Sequence, residues 1–205
     1  NYGEYIYVIS WITIAAMFGK FGMDVMLVRL VSADVSSNLA SNAKAILSWG
    51  FKWAASFTTV SMCILLSVYF LVNQNVSGTI IVGCLYLFVL TTSFCQKGAL
   101  VGLGSAAMSK LPTEVLRPSL MILLVLVLWL SVDEVGSNAA MWAMLASSLV
   151  AFGVGQCIWS YSLRAKRSLG LAPSAADNFV PPRLSEIWPF VAVSVAGSFN
   201  KNVDI

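Results

Sequence analysis

Apolar residues run along this chain in long blocks broken by little charge, at Tyr5–Leu30, Trp53–Val72, Thr79–Phe94, Ser119–Val132, Ala139–Tyr161 and Ile187–Ile205. A helix needs about 20 apolar residues to cross the hydrocarbon of a bilayer. The pattern therefore predicts an all-α, polytopic transmembrane bundle of six spans. The third and fourth blocks are short, and each is expected to gain a turn from its flanks, Ser77–Gly78 through Gln96 and Pro112 through Arg117.

The charge between blocks alternates. Arg29, Lys44 and Lys52 fall in the first connection, none falls in 73–77, and Lys97, Lys110 and Arg117 fall in the third. Asp133 and Glu134 follow, then Arg164, Lys166, Arg167 and Arg183. Ten of the twelve basic residues thus lie on one side, and the other carries Glu4, Asp133 and Glu134. Short loops rich in Lys and Arg stay in the cytoplasm, which predicts a multi-pass protein of the inner membrane with Asn1 outside. A first helix running inward is expected to follow an earlier one. The long connections 31–52, 98–114 and 164–186 are all predicted cytoplasmic. The last contains Pro173, Pro181 and Pro182 and reads as a linker. Residues 1–163 are then one helical lobe, 164–186 the linker, and 187–205 the opening of a second lobe.

Composition agrees: 59% of the 205 residues are hydrophobic and 10% charged, too little polar surface to cover a soluble fold. The net charge of +3 is carried by the short loops and gives no ground for nucleic-acid binding. There is no histidine, so the commonest metal ligand and general base are missing. Cys63, Cys84, Cys95 and Cys157 are scattered in or beside apolar runs and read as small hydrophobes. No catalytic constellation, metal set or cofactor motif is present in the sequence. The predicted outer loops, 73–77 and 133–138, are too short to hold the active site of a glycan polymerase or ligase.

Ionisable residues inside a span mark pathways for polar cargo, which singles out Lys20, Asp24, Lys201 and Asp204. Lys20 and Asp24 are spaced to pair at i, i+4. By helical rise Asp24 stands about 28 Å from Tyr5, a depth that also suits an interfacial pair. Lys201 and Asp204 lie in the polar run Asn200-Lys201-Asn202-Val203-Asp204 of the last block. Gly98 and Gly102 have the small-xxx-small spacing that lets helices approach closely.

Three stretches carry a family resemblance. Tyr2-Gly3-Glu4-Tyr5, an apolar helix and then Phe21-Gly22-Met23-Asp24-Val25-Met26-Leu27-Val28-Arg29 form the first. Gly98-Ala99-Leu100-Val101-Gly102-Leu103-Gly104 with Leu111-Pro112-Thr113-Glu114-Val115-Leu116-Arg117-Pro118 form the second, and Leu184–Ile205 with Pro189 and Asp204 the third. In this order they resemble the polysaccharide flippases of the multidrug, oligosaccharidyl-lipid and polysaccharide exporter superfamily, the O-antigen-type translocases. Val101 and Ser105 depart from that pattern, standing where many members carry Arg.

The resemblance implies a two-lobed transporter of twelve to fourteen helices that flips an undecaprenyl-diphosphate-linked oligosaccharide, with no cofactor and with a coupling ion, H⁺ or Na⁺. It further implies that Arg29 and Arg117 receive the diphosphate at the cytoplasmic mouth and that Lys201 and Asp204 line the cavity. A cation-coupled drug or metabolite exporter of the same superfamily is the alternative.

Overall fold

The computed structural model describes residues 2–37, 42–73, 78–131, 136–168, 182 and 186–193, nearly all of them helical. The elements are α1 (Tyr2–Lys20), α2 (Met23–Ser36), α3 (Ala43–Asn73), α4 (Gly78–Gly102), α5 (Ala106–Lys110), a π-helical turn (Leu111–Leu116), α6 (Arg117–Ser131) and α7 (Ser137–Ser168). A further helix, α8, covers residues 186–193. The all-α class is as expected. Four stretches are long and apolar enough to cross a membrane: Ala43–Val72, Gly78–Gly102, Ala106–Ser131 and Ser137–Lys166.

The span boundaries differ from the expectation in three places. The first block, Tyr5–Leu30, is two helices, α1 and α2, separated at Phe21 and Gly22. The connection expected over 31–52 is largely helix, since α2 continues to Ser36 and α3 begins at Ala43. Most of 98–114 is helical as well, so Lys97, Lys110 and Arg117 stand on helices. Charge marks where a helix meets water or a polar cavity, and a helix does not stop there, because long basic side chains reach out from its surface.

What ends α4 is backbone chemistry. The Ser105 N–H donates to the Leu100 carbonyl at 3.1 Å and the Gly104 N–H to that of Val101 at 2.8 Å. With Gly104 at φ +81°, this is the paired closure that glycine allows at a helix C-terminus. The chain then turns within Leu103–Ser105 and starts α5, with the Ser109 N–H donating to the Ser105 carbonyl.

α4 is the central helix, packed against α1, α2, α3, α5 and α7, whereas α6 lies outside and buries no residue. Small residues let neighbours close on α4. A Cβ at Gly83 would meet Ile12, one at Gly98 would strike the Asp24 carbonyl, and one at Gly102 would come within 2.9 Å of the Val28 carbonyl. The Gly98 and Gly102 pair does the packing its spacing predicts. At one end the Ser137 hydroxyl donates to Glu4 at 2.8 Å and lies 3.5 Å from the Thr79 hydroxyl, so α1, α4 and α7 all start there.

The interior divides into two apolar clusters. One holds Val8, Ile12, Ile80, Leu87 and Met141, and the other Met23, Leu27, Ala99, Leu100 and Trp159. All four cysteines are free thiols, Cys84 and Cys95 buried in these clusters and Cys63 and Cys157 exposed.

Candidate functional site

Between the two clusters lies a polar layer, and the interruption of the first helix falls in it. α1 ends where Phe21 and Gly22 both adopt left-handed backbone, at φ +40° and +74°. Glycine takes that conformation freely, whereas a phenylalanine held there is strained. The Phe21 N–H still reaches the Phe18 carbonyl at 3.2 Å, and the Gly22 carbonyl accepts from Met26 at 3.1 Å, which restarts the helix as α2.

The surroundings fix the bend. Phe21 stacks on Phe57 with centroids 4.2 Å apart, and Phe57 stacks on Trp53 at 5.6 Å. A Cβ on Gly22 would lie 2.7 Å from the Phe190 carbonyl, so α8 rests directly on the break.

The break places Lys20 in the last turn of one helix and Asp24 in the first turn of the next. Each charge therefore opposes the partial charge of its own helix end. Their side chains pair at 3.4 Å and are only 14% and 25% exposed. Asp24 Oδ1 also accepts the Val25 N–H at 3.0 Å, and the Lys20 ammonium sits 5.6 Å from the centre of the Phe94 ring.

Around the pair the other polar groups are buried and bonded. The Thr58 hydroxyl donates to that of Thr91 at 2.8 Å, and the Ser61 hydroxyl to the Ala15 carbonyl at 2.8 Å. α4 continues for eight residues past Phe94, from Ser93-Phe94 to Gly102, or about 12 Å at the helical rise. The pair therefore lies inside the bundle, between two packed clusters, and not at its end.

Arg29 stands on α2 and Arg117 opens α6. The Arg29 guanidinium lies 5.4 Å from the Phe190 ring centre, on the side of α4 where α2 packs. Arg117 closes the π turn, donating its N–H to the Pro112 carbonyl, and it lies within electrostatic range of Tyr86. The π turn and α6 pack on α7. Lys201 and Asp204 lie outside the described residues.

Two groups outside the predicted site have comparable chemistry. Lys97 on α4 and Glu114 on the π turn form an ion pair between two candidate spans, 28% and 50% exposed. Their separation of seventeen residues has no helical register, and only the π turn brings them together, so no sequence spacing announces them. Asp34, near the end of α2, accepts the backbone N–H groups of Asn42 and Ala43 and so caps the start of α3. Burial pushes its carboxyl above the usual carboxylate range against those two bonds.

No family model matches the chain, and no curated protein or solved structure is found to be similar to it.

Proposed function

We propose that this chain forms part of a transporter of the cytoplasmic membrane that flips an undecaprenyl-diphosphate-linked oligosaccharide for polysaccharide assembly, making and breaking no bond. The observation that carries this reading is the Lys20–Asp24 pair held at a broken helix inside the bundle. Charge inside a span is retained where polar cargo or ions pass. Interrupted helices are the device by which transporters offer helix ends to such cargo near mid-membrane.

A glycolipid has a polar, anionic head to move while its tail remains in the bilayer, so its carrier needs cationic groups along a hydrated path. Arg29 and Arg117 are assigned to receive the diphosphate near the cytoplasmic mouth. Lys201 and Asp204 are assigned to the cavity wall or to coupling with H⁺ or Na⁺. The Lys and Arg residues clustered on one side support an orientation with that side in the cytoplasm, and the reading keeps six spans over two lobes.

A cation-coupled drug or metabolite exporter is favoured by one feature, the acid Asp24 in the interior. The deciding experiment expresses the full chain in a strain lacking its O-antigen flippase and in a drug-sensitive strain. Restored surface polysaccharide without drug resistance supports the flippase; the reverse selects the exporter. Arg29→Ala/Arg117→Ala at wild-type membrane level is expected to abolish rescue, and full rescue by that double variant removes both arginines from the binding role.

A further inference from the structure

The π turn encloses a second polar feature, separate from the Lys20–Asp24 site. Between α4, the π turn and α7 lies a cavity of about 10 Å³ lined in part by Ser93, Gln96, Lys97, Ser109 and Thr113. A volume of about 10–15 Å³ open to a water's centre suffices for one molecule, provided two to four polar groups face it.

Those groups are present. Thr113 Oγ1 is buried and has no hydrogen-bond partner among the described residues. Gln96, 3% exposed, turns its amide nitrogen toward the Phe152 carbonyl at only 3.5 Å, a long contact that leaves its second N–H to other acceptors. The Ser93 and Ser109 hydroxyls donate to the Val89 and Ala106 carbonyls at 2.7 Å and keep lone pairs for accepting. Lys97 gives one ammonium proton to Glu114 and carries two more.

The cause is local. Pro112 has no N–H to give and cannot continue a regular helix, and the chain bridges it with the wider turn, Arg117 N–H to Pro112 carbonyl. That extra residue turns Thr113 inward.

We propose that this cavity is a binding site for one water molecule, held by Thr113, Gln96 and Lys97 beside the Lys97–Glu114 pair. The ligand is water and not a metal cation, because the Lys97 ammonium lines the same space. An unpaired buried hydroxyl is destabilising, and one bound water removes that loss for Thr113 while hydrating an ammonium between two spans.

X-ray radiolytic labelling of the full chain in lipid nanodiscs tests this, because radicals formed from a bound water oxidise the residues that surround it. Buried Pro112 is expected to label several-fold faster than Leu87 and Ile80, which are fully buried in the other cluster. Thr113→Val is expected to bring Pro112 down to their level, while Thr113→Ser, which keeps the hydroxyl, leaves it high. Replacing choline chloride by NaCl should change nothing. Pro112 labelling no faster than Leu87 in the wild type overturns the proposal, as does loss of labelling on adding Na⁺, which would mean a cation occupies the site.

Discussion

Two departures from regular helix among the described residues arise by different means and in different surroundings. The α1–α2 break rests on left-handed backbone at Phe21 and Gly22 and lies between two packed clusters, under α8. The π turn rests on Pro112 and leads into α6, which buries no residue. At the first, packing imposes the geometry: α2 must follow the small-residue stripe of α4, and the strain at Phe21 is held by its stack on Phe57. At the second, one residue's missing N–H imposes it. A break over-determined by its surroundings suits a site that holds charge in place, whereas a bulge at the periphery tolerates change.

The largest effect is expected at the seat of α2. Gly98→Leu would drive a side chain into the Asp24 backbone and is expected to lower unfolding stability in detergent by about 3 kcal/mol. Gly153→Ala, with nothing within 4 Å, should change it by no more than about 0.5 kcal/mol. Equal effects of the two would show that α4 does not seat α2 this way.

Next comes the pair at the break. Lys20→Met and Asp24→Asn alone are each expected to be destabilising by about 1 kcal/mol, since each removes the ion-pair partner of a partly buried charge, while the double variant recovers much of the loss. Additive losses would mean that the two charges do not act together.

At the far end of α2, Asp34→Ala removes the cap on α3 and is expected to lower stability by about 1 kcal/mol. The pH sign follows from its raised folded pKa. The native state binds this proton more tightly than the unfolded chain, so the contribution is present in mild acid and is lost as pH rises through the folded pKa. Asp34→Asn should flatten that dependence and be at least as stable as the wild type at neutral pH. A steeper dependence in the Asn variant would reverse the assignment.

The smallest effect belongs to the π turn. Half exposed, the Lys97–Glu114 pair should show a coupling of about 0.5 kcal/mol in a double-mutant cycle. In a Pro112→Ala background, where a regular helix turns Glu114 away, the coupling should vanish. Its persistence would mean that the proline does not set the register.

The sequence by itself determined that the chain is helical and has apolar runs long enough to cross a membrane, because a span is set by length and composition. It also determined that Gly98 and Gly102 admit a neighbour, since that follows from helical periodicity, whereas the Lys20–Asp24 contact spans a broken helix. The break at Phe21 and the meeting of Lys97 with Glu114 were decided only by tertiary structure. Each depends on which face of α4 a neighbour occupies and on a local departure from regular helix. Periodicity places residues relative to their own helix axis and holds no information on where another helix bends to meet it.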